Sequence, residues 1–389
     1  MIGLPILLAW LVTDALATYG VLHHRRAFVP LAPARFSPRA AVLIAVKGIG
    51  HSTQPFLSAL RAQRYENFRL IFALESSTDE AFAVVTQLQR ELEGQTSVEV
   101  ILAGVNSNRA QKVHNLLAAL TALRADDQIV VFADADIIPA QTWLSDLIRP
   151  IASGEAAASC GYRWQLPMTS DWPSLIVAAA DMSVATAARS RMWNLCWGGS
   201  VALDRKALDQ LDLICAWDRA ASDDLTLTRA LRTRKLRIYV PPFVLVASPV
   251  SHTWASLLRF MHRQYLLLRV YAPRHWLLTA WTLCIPALGA ATALALLLQA
   301  QWWVLAFLAS SCALLQLRLG GRRSIAALVL SASDLNTATA TVQFARWAWP
   351  LIHLVHLAAF ASSAVGQRFI WAGIRYRLTG RQVKVESRL

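Results

Sequence analysis

The sequence predicts an α/β protein in which a Rossmann-like, mostly parallel sheet is joined to transmembrane α-helices. Three observations carry that expectation. Between residues 40 and 139, short apolar runs alternate with stretches of helical periodicity, the βαβ signature of a parallel sheet. The run Ile129–Pro139, IVVFADADIIP, reads as a buried strand that delivers Asp134 and Asp136 at its carboxyl end, where open α/β sheets bind ligands. The chain is 56% hydrophobic and only 16% charged. Soluble domains carry about 25% charge, so part of this chain belongs in a bilayer.

Residues 2–22 are mostly apolar and long enough to span a membrane; His23, His24, Arg25 and Arg26 follow. No positive segment precedes them and no cleavage site is evident, so 1–26 reads as an anchor rather than a removed signal. The basic cluster behind it predicts the amino terminus outside and the next domain in the cytoplasm. Residues 27–40 form a proline-bearing linker. Strands are expected at 40–48, 68–76 and 97–104, ahead of the Asp134 strand, with helices at 51–65, 79–93 and 108–123 between them. The second half of this domain, 41–275, is less regular, with helices expected at 143–154 and 173–192 and a Gly198-Gly199-Ser200 turn.

The composition changes after that. Residues 276–299 and 302–317 read as a transmembrane hairpin returning at Arg318, Arg322 and Arg323, and 347–366 is a third apolar block. Residues 324–345 are diluted by Asp334 and Asn336. They either cross, or the 347–366 block is re-entrant or interfacial. The region 276–366 is therefore transmembrane or interfacial, and 367–389 reads as a basic cytoplasmic tail.

The formal net charge is +14, from 38 basic and 24 acidic residues. The basic residues are dispersed or flank apolar segments, without a Lys/Arg stripe or recognition motif, so membrane flanks and nucleotide contacts explain them better than nucleic acid. The five cysteines, Cys160, Cys196, Cys215, Cys284 and Cys312, show no CxxC spacing, which argues against a zinc site or a disulfide framework.

Asp-x-Asp can hold a divalent cation through hard oxygen ligands beside a diphosphate. Ser222-Asp223-Asp224 precedes a helical stretch; one acidic residue can cap that helix while the next points into a cleft. Lys47 and Lys112 are candidate phosphate contacts, or surface lysines. Gly198-Gly199-Ser200 could let backbone approach a ligand, or be a plain turn. His262-Arg263-Gln264-Tyr265 lies before the apolar block, where Arg and Tyr also serve as interfacial anchors.

Taken in order from about residue 40 to 275, these features resemble family-2, GT-A-type inverting glycosyltransferases, most of all the membrane-bound ceramide glucosyltransferase branch and its bacterial relatives. The resemblance implies a site made of several parts. Lys47-Gly48 would end the first strand, and Glu75 or Asp79 would supply the acidic uridine contact. Gln111-Lys112-Val113-His114-Asn115-Leu116 is similar to an Asn-x-Lys-x-x-Asn-Leu helix. Asp134 would hold the metal with Asp136, Gly199-Ser200 would form an acceptor-side turn, and Asp223-Asp224 would be the third acidic motif. For the family's final Gln-x-x-Arg-Trp, the resemblance points to Arg263, Gln264 and Tyr265. The resemblance further implies a UDP-sugar donor, Mg2+ or Mn2+ on Asp134 and Asp136, and Asp224 as general base. A hexose, glucose favoured, would go to a lipid hydroxyl such as that of ceramide, at a bacterial inner membrane with the catalytic domain facing the cytoplasm. The alternatives are a processive polysaccharide synthase of the same superfamily and a non-catalytic membrane scaffold.

Overall fold

The computed structural model describes residues 3–28, 37–187, 189–190 and 192–389. Positions 29–36 of the expected linker lie outside the described residues. The chain divides into two compact units, both discontinuous in sequence.

One unit, Pro30–Trp164 with Ser190–Pro249 and Gln367–Leu389, holds the sheet. In chain order the molecule's strands are β1 (Ala40–Ala45), β2 (Phe68–Leu74), β3 (Val98–Leu102), β4 (Ile129–Asp134), β5 (Ala158–Cys160), β6 (Tyr162–Pro167), β7 (Ser200–Asp204), β8 (Ile238–Tyr239), β9 (Leu245–Val250), β10 (Arg368–Trp371), β11 (Ile374–Thr379) and β12 (Gln382–Arg388). Seven of them form one mixed sheet in the order β3-β2-β1-β4-β7-β5-β8. The first four are parallel, β7 runs antiparallel to β4 and to β5, and β8 is parallel to β5. β6 pairs with β9 in a separate ribbon.

β1 and β4 are apolar without alternation because helices cover both faces, and every residue from Ala40 to Ile44 is buried. Their register pairs Ala45 with Asp134, so both strands end level and open the same edge. At the opposite end Arg69 and Asp127 form a fully buried pair, with Arg69 Nε donating to Asp127 at 2.9 Å and Nη2 to the Ala122 carbonyl at 2.7 Å. Burial alone would raise the Asp127 carboxyl, but the Arg69 guanidinium and the Arg124 N–H hold it below the usual carboxylate range.

Residues 367–389 are not a tail. They form a three-stranded antiparallel sheet, β10-β11-β12, that belongs to the α/β unit. In β11, Ile374, Tyr376 and Leu378 are buried while Arg375, Arg377 and Thr379 are exposed, the period of two expected of a half-covered sheet.

The other unit, Met1–Val29 with Gln165–Arg189 and Val250–Gly366, is helical. Four of its helices are long and apolar enough to cross a membrane: Gly3–Arg26, Pro273–Leu298, Val304–Val329 and Ala332–Val365. Trp172–Ala185 is apolar but shorter, and Trp254–Tyr271 is amphipathic. Leu7, Trp10, Ala293 and Val304 are buried together. Gly289 admits the Trp10 ring, since a Cβ there would stand 2.4 Å from it; small residues let apolar helices approach in this way.

Two expectations change here. Arg318 does not mark the end of a span. It lies inside the helix Val304–Val329, where Asp14 of the first helix binds it at 3.2 Å and also accepts from Ser311. An apolar helix tolerates a charge when a partner is buried with it. The diluted stretch 324–345 is not a separate crossing either; from Ala332 it is continuous with the 347–366 block in one 34-residue helix.

Candidate active site

The site is built at the carboxyl ends of β1, β2 and β4. The helix Gln111–Leu120 starts there without a side-chain cap of its own. Instead Tyr376 of β11 accepts from the Gln111 N–H at 3.2 Å. The polar residues of that helix explain its sequence. Gln111 Nε2 donates to the Gly104 carbonyl (2.8 Å) and to Asn115 (2.9 Å), and buried Asn115 donates to the Ala73 carbonyl of β2 (3.2 Å). His114 reaches the Ala103 carbonyl at 2.8 Å. Together they pin the helix start to the ends of β2 and β3 and hold Lys112 in place.

The Lys112 ammonium bridges Asp134 at 2.6 Å and Asp223 at 3.1 Å. Burial would lower its pKa, but the carboxylates of Asp134, Asp223 and Asp224 outweigh that and raise it, so it stays protonated. Asp223 is 4% exposed. Its carboxyl is pushed up to about 6, by burial first and then by the charges of Asp224 and Asp134, with Lys112 acting in the opposite direction.

Ser222 caps the helix Asp223–Thr233 by accepting from Leu225 N–H, so the capping and cleft readings of this motif coexist. Asp224 is partly exposed. It accepts from Leu225 N–H at 2.7 Å, from Gly198 N–H at 3.2 Å and from the Ser222 hydroxyl, which fixes its orientation.

The two glycines are there because the carboxylates crowd them. A Cβ at Gly198 would stand 2.2 Å from Asp223 Oδ2 and 3.0 Å from Lys112 Nζ. One at Gly199 would stand 2.4 Å from the Trp197 ring and 2.8 Å from Asp134 Oδ2. Ser200, expected on the acceptor side with Gly199, is fully buried and accepts from Trp143 Nε1 at 2.9 Å, which makes its role structural.

At the β1 and β2 ends, Lys47 and Glu75 pair at 3.0 Å. Asp79 caps the helix Glu80–Glu91 and accepts from the Gly48 N–H at 2.9 Å, tying the β1 loop down. Asp136 lies beyond β4, where desolvation and then the charge of Asp134 raise its carboxyl above the usual range and the charges of Arg163 and Lys112 act in the opposite direction; the Arg163 guanidinium lies 5.7 Å from the centre of the Trp197 ring.

Arg263, Gln264 and Tyr265 belong to the helical unit, on the helix Trp254–Tyr271. There Arg263 lies over Phe260 at 5.5 Å, and Tyr265 bonds His356 and packs edge-on against Phe360. The structure thus gathers Lys47, Glu75, Asp79, Lys112, Asp134, Asp136, Gly199, Asp223 and Asp224 in one unit and leaves these three in the other. Sequence reasoning put Arg263, Gln264 and Tyr265 in the place of a Gln-x-x-Arg-Trp motif that the chain in fact carries as Gln343-Phe344-Ala345-Arg346-Trp347, on the helix Ala332–Val365 of the helical unit, with Gln343, Arg346 and Trp347 exposed. It also missed Arg163, Trp197, Trp371 and Arg388. The alternation of 374–379 is the one signal that points to the strands carrying the last two.

Among the described residues no group of three His, Cys, Asp or Glu could hold a metal alone. The pair Asp134 and Asp136 still fits Mg2+ or Mn2+, because such ions use one or two carboxylates and take their remaining ligands from phosphates and water. The Lys112 ammonium against Asp134 shows that the position favours a cation.

A mixed sheet of this order, with a DxD ending β4 and a second acidic motif at a helix start, is the GT-A arrangement of a glycosyltransferase. The sequence model of glycosyl transferase family 21 matches residues 6–383, and the chain belongs to that family. The family number is 21, where the motifs had suggested 2. A mannosyltransferase from Pyrobaculum calidifontis, solved with GDP-Man and Mn2+, aligns over 92% of this chain and 99% of its own, at 18% identity and a TM-score of 0.48. Glucosyl-3-phosphoglycerate synthase from Mycobacterium tuberculosis, solved with Mn2+ and uridine-diphosphate-glucose, aligns over 64% and 82% at 14% identity, with a TM-score of 0.37. No curated protein matches the sequence.

Proposed function

We propose that this glycosyltransferase moves a hexose, glucose favoured, from a UDP-sugar to a hydroxyl of a membrane lipid such as ceramide, with inversion. The observation that carries the reading is the Asp134–Lys112–Asp223 bridge at the end of β4, in a chain with four membrane-length apolar helices. Asp134 and Asp136 would hold a divalent cation, which when bound would supply positive charge for the diphosphate. Lys112 supplies a second positive charge there, and buried Asp223 positions it. Asp223 is closed to an acceptor by its burial and its bond to Lys112. Asp224, partly exposed and held by three donors, is the base that takes the acceptor hydroxyl proton as oxygen attacks the anomeric carbon opposite the diphosphate. Such base catalysis is worth about 10²–10⁴-fold. The helical unit, with the anchor Gly3–Arg26, keeps the enzyme at the bilayer, catalytic face to the cytoplasm of a bacterial cell, where the lipid acceptor resides.

The test is to incubate membranes with a panel of UDP-sugars and total lipid extract, with and without chelator, and to identify the new glycolipid by mass spectrometry. One sugar added per lipid is expected, with the activity lost to the chelator and restored by Mg2+ or Mn2+. Asp224→Asn should still bind UDP and lose transfer about 10²–10⁴-fold. Wild-type turnover in that variant overturns the base assignment, long polymers favour a polysaccharide synthase, and absence of UDP-sugar turnover favours a scaffold.

A further inference from the structure

The C-terminal sheet β10–β12 is docked where the parallel strands end. The Val383 N–H donates to the Arg219 carbonyl at 2.8 Å, and the Val385 N–H to the Ser107 carbonyl at 2.9 Å. At the end of β12 the Arg388 guanidinium forks. One nitrogen pairs with Glu75; the other donates to Gln111 Oε1 at 2.9 Å and lies 3.4 Å from the Asn106 carbonyl. Arg388 therefore staples together the end of β2, the loop after β3 and the start of the Lys112 helix. Lys47 occupies the second oxygen of Glu75. At the end of β10, the Trp371 ring centre is 6.0 Å from Lys112 Nζ, the ammonium that bridges Asp134 and Asp223.

One small sheet thus touches both ends of a line that crosses the ends of β2, β1 and β4. Charge sets the direction in which a donor lies along it. The diphosphate belongs with Lys112 and the cation-holding carboxylates at β4, which leaves the nucleoside toward Glu75 at β2.

We infer that the C-terminal sheet is a wall of the donor site. Arg388 is a positioning residue that holds Glu75 for the nucleoside and braces buried Gln111 at the start of the Lys112 helix, and Trp371 is a contact for the sugar-diphosphate end. The inference rests on the donor reading given above.

The experiment uses the full-length enzyme in detergent, with UDP titrated calorimetrically and donor kinetics measured at saturating acceptor. Arg388→Ala should raise the donor KM and the UDP Kd about tenfold while kcat stays within about twofold, the pattern of lost binding rather than lost chemistry. Arg388→Lys should recover part of this, since an ammonium can pair with Glu75 but cannot also reach Gln111 as a fork. Trp371→Ala should lower donor kcat/KM about tenfold, and Trp371→Phe should recover most of it. Arg368→Ala, which removes an exposed pair with Glu386 on the same sheet, should change neither constant. Melting curves without nucleotide separate binding from folding. Wild-type donor KM in both alanine variants overturns the wall. So does a common loss of melting temperature that the Lys and Phe variants fail to restore. Wild-type protein that binds no UDP overturns the donor reading, and the wall with it; wild type and variants that bind equally overturn the wall alone.

Discussion

Gly199 is flanked by the Trp197 ring on one side and Asp134 Oδ2 on the other, and its neighbour Gly198 faces Asp223 and Lys112. A methyl group at either position must push a carboxylate or an indole aside. Because a displacement of about 1 Å at a reacting centre can cost about 100-fold, Gly199→Ala is expected to lower transfer at least about tenfold with little loss of melting temperature. Gly320, with nothing within 4 Å of an added Cβ, should accept Ala without effect on either readout. Parallel rate and melting measurements on the two variants check this; equal rates would show that the turn is not held tightly. At this scale much of the site was legible in the sequence. Asp134 and Asp136 announce themselves because a buried strand ends on them, and Asp223 and Asp224 because a capped helix begins on them. The jobs of individual residues were less legible. Ser200 sits in a suggestive turn, yet its hydroxyl faces Trp143, and only the fold decides which way a strand residue points.

Among the elements, β2 and the loop before β4 are locked by Arg69 and Asp127, whose side chains are 1% and 0% exposed. Removing one member of such a pair strands the other charge, at a cost of about 3–5 kcal/mol. Arg69→Ala is therefore expected to unfold the α/β unit at markedly lower temperature or urea concentration, while Arg69→Met with Asp127→Leu should recover part of the loss. The pair also has a pH signature. The folded pKa of Asp127 lies below its ordinary 3.8, so its stabilisation is present above that value and is lost as pH falls through the folded pKa. Wild type should lose this contribution in acid, and Arg69→Ala should lack that part of the slope. The parallel strands were readable because apolar runs and helical spacing alternate. β10–β12 were read as a tail because Arg375, Arg377 and Lys384 raise the charge, although the apolar residues between them keep a strand's period. Arg318 looked like the flank of a span because its partner, Asp14, is 304 residues away in the chain. Pairings this distant leave no local pattern.

For the whole molecule, the interleaving of the two units constrains how the chain can sit in a bilayer. It leaves the α/β unit at Pro249 and re-enters it at Gln367. Both segments fold into one compact body, so they lie on the same side, and the number of complete crossings between them is even. Three membrane-length helices occupy that interval, so we expect at least one of them not to cross. Ala332–Val365 fits that role. It runs along the helix Trp254–Tyr271, where Arg269 Nη2 donates to the Gly366 carbonyl at 2.6 Å. In a background without native cysteines, an impermeant maleimide should label Cys placed at Trp302 from the side opposite Leu389, and Cys placed at Ser331 from the same side as Leu389. Labelling of Ser331→Cys from the opposite side would assign the non-crossing helix elsewhere.

The docking of β12 also bears on how the enzyme is handled. The Leu389 N–H bonds the Gly373 carbonyl, and the residue before it grips Glu75. An affinity tag fused behind Leu389 would start one residue from the Arg388–Glu75 pair, whereas one ahead of the helix Gly3–Arg26 would not. Preparations differing only in tag position are expected to differ in donor KM, and removal of Arg388 by a protease should raise donor KM as Arg388→Ala does while leaving the membrane helices intact.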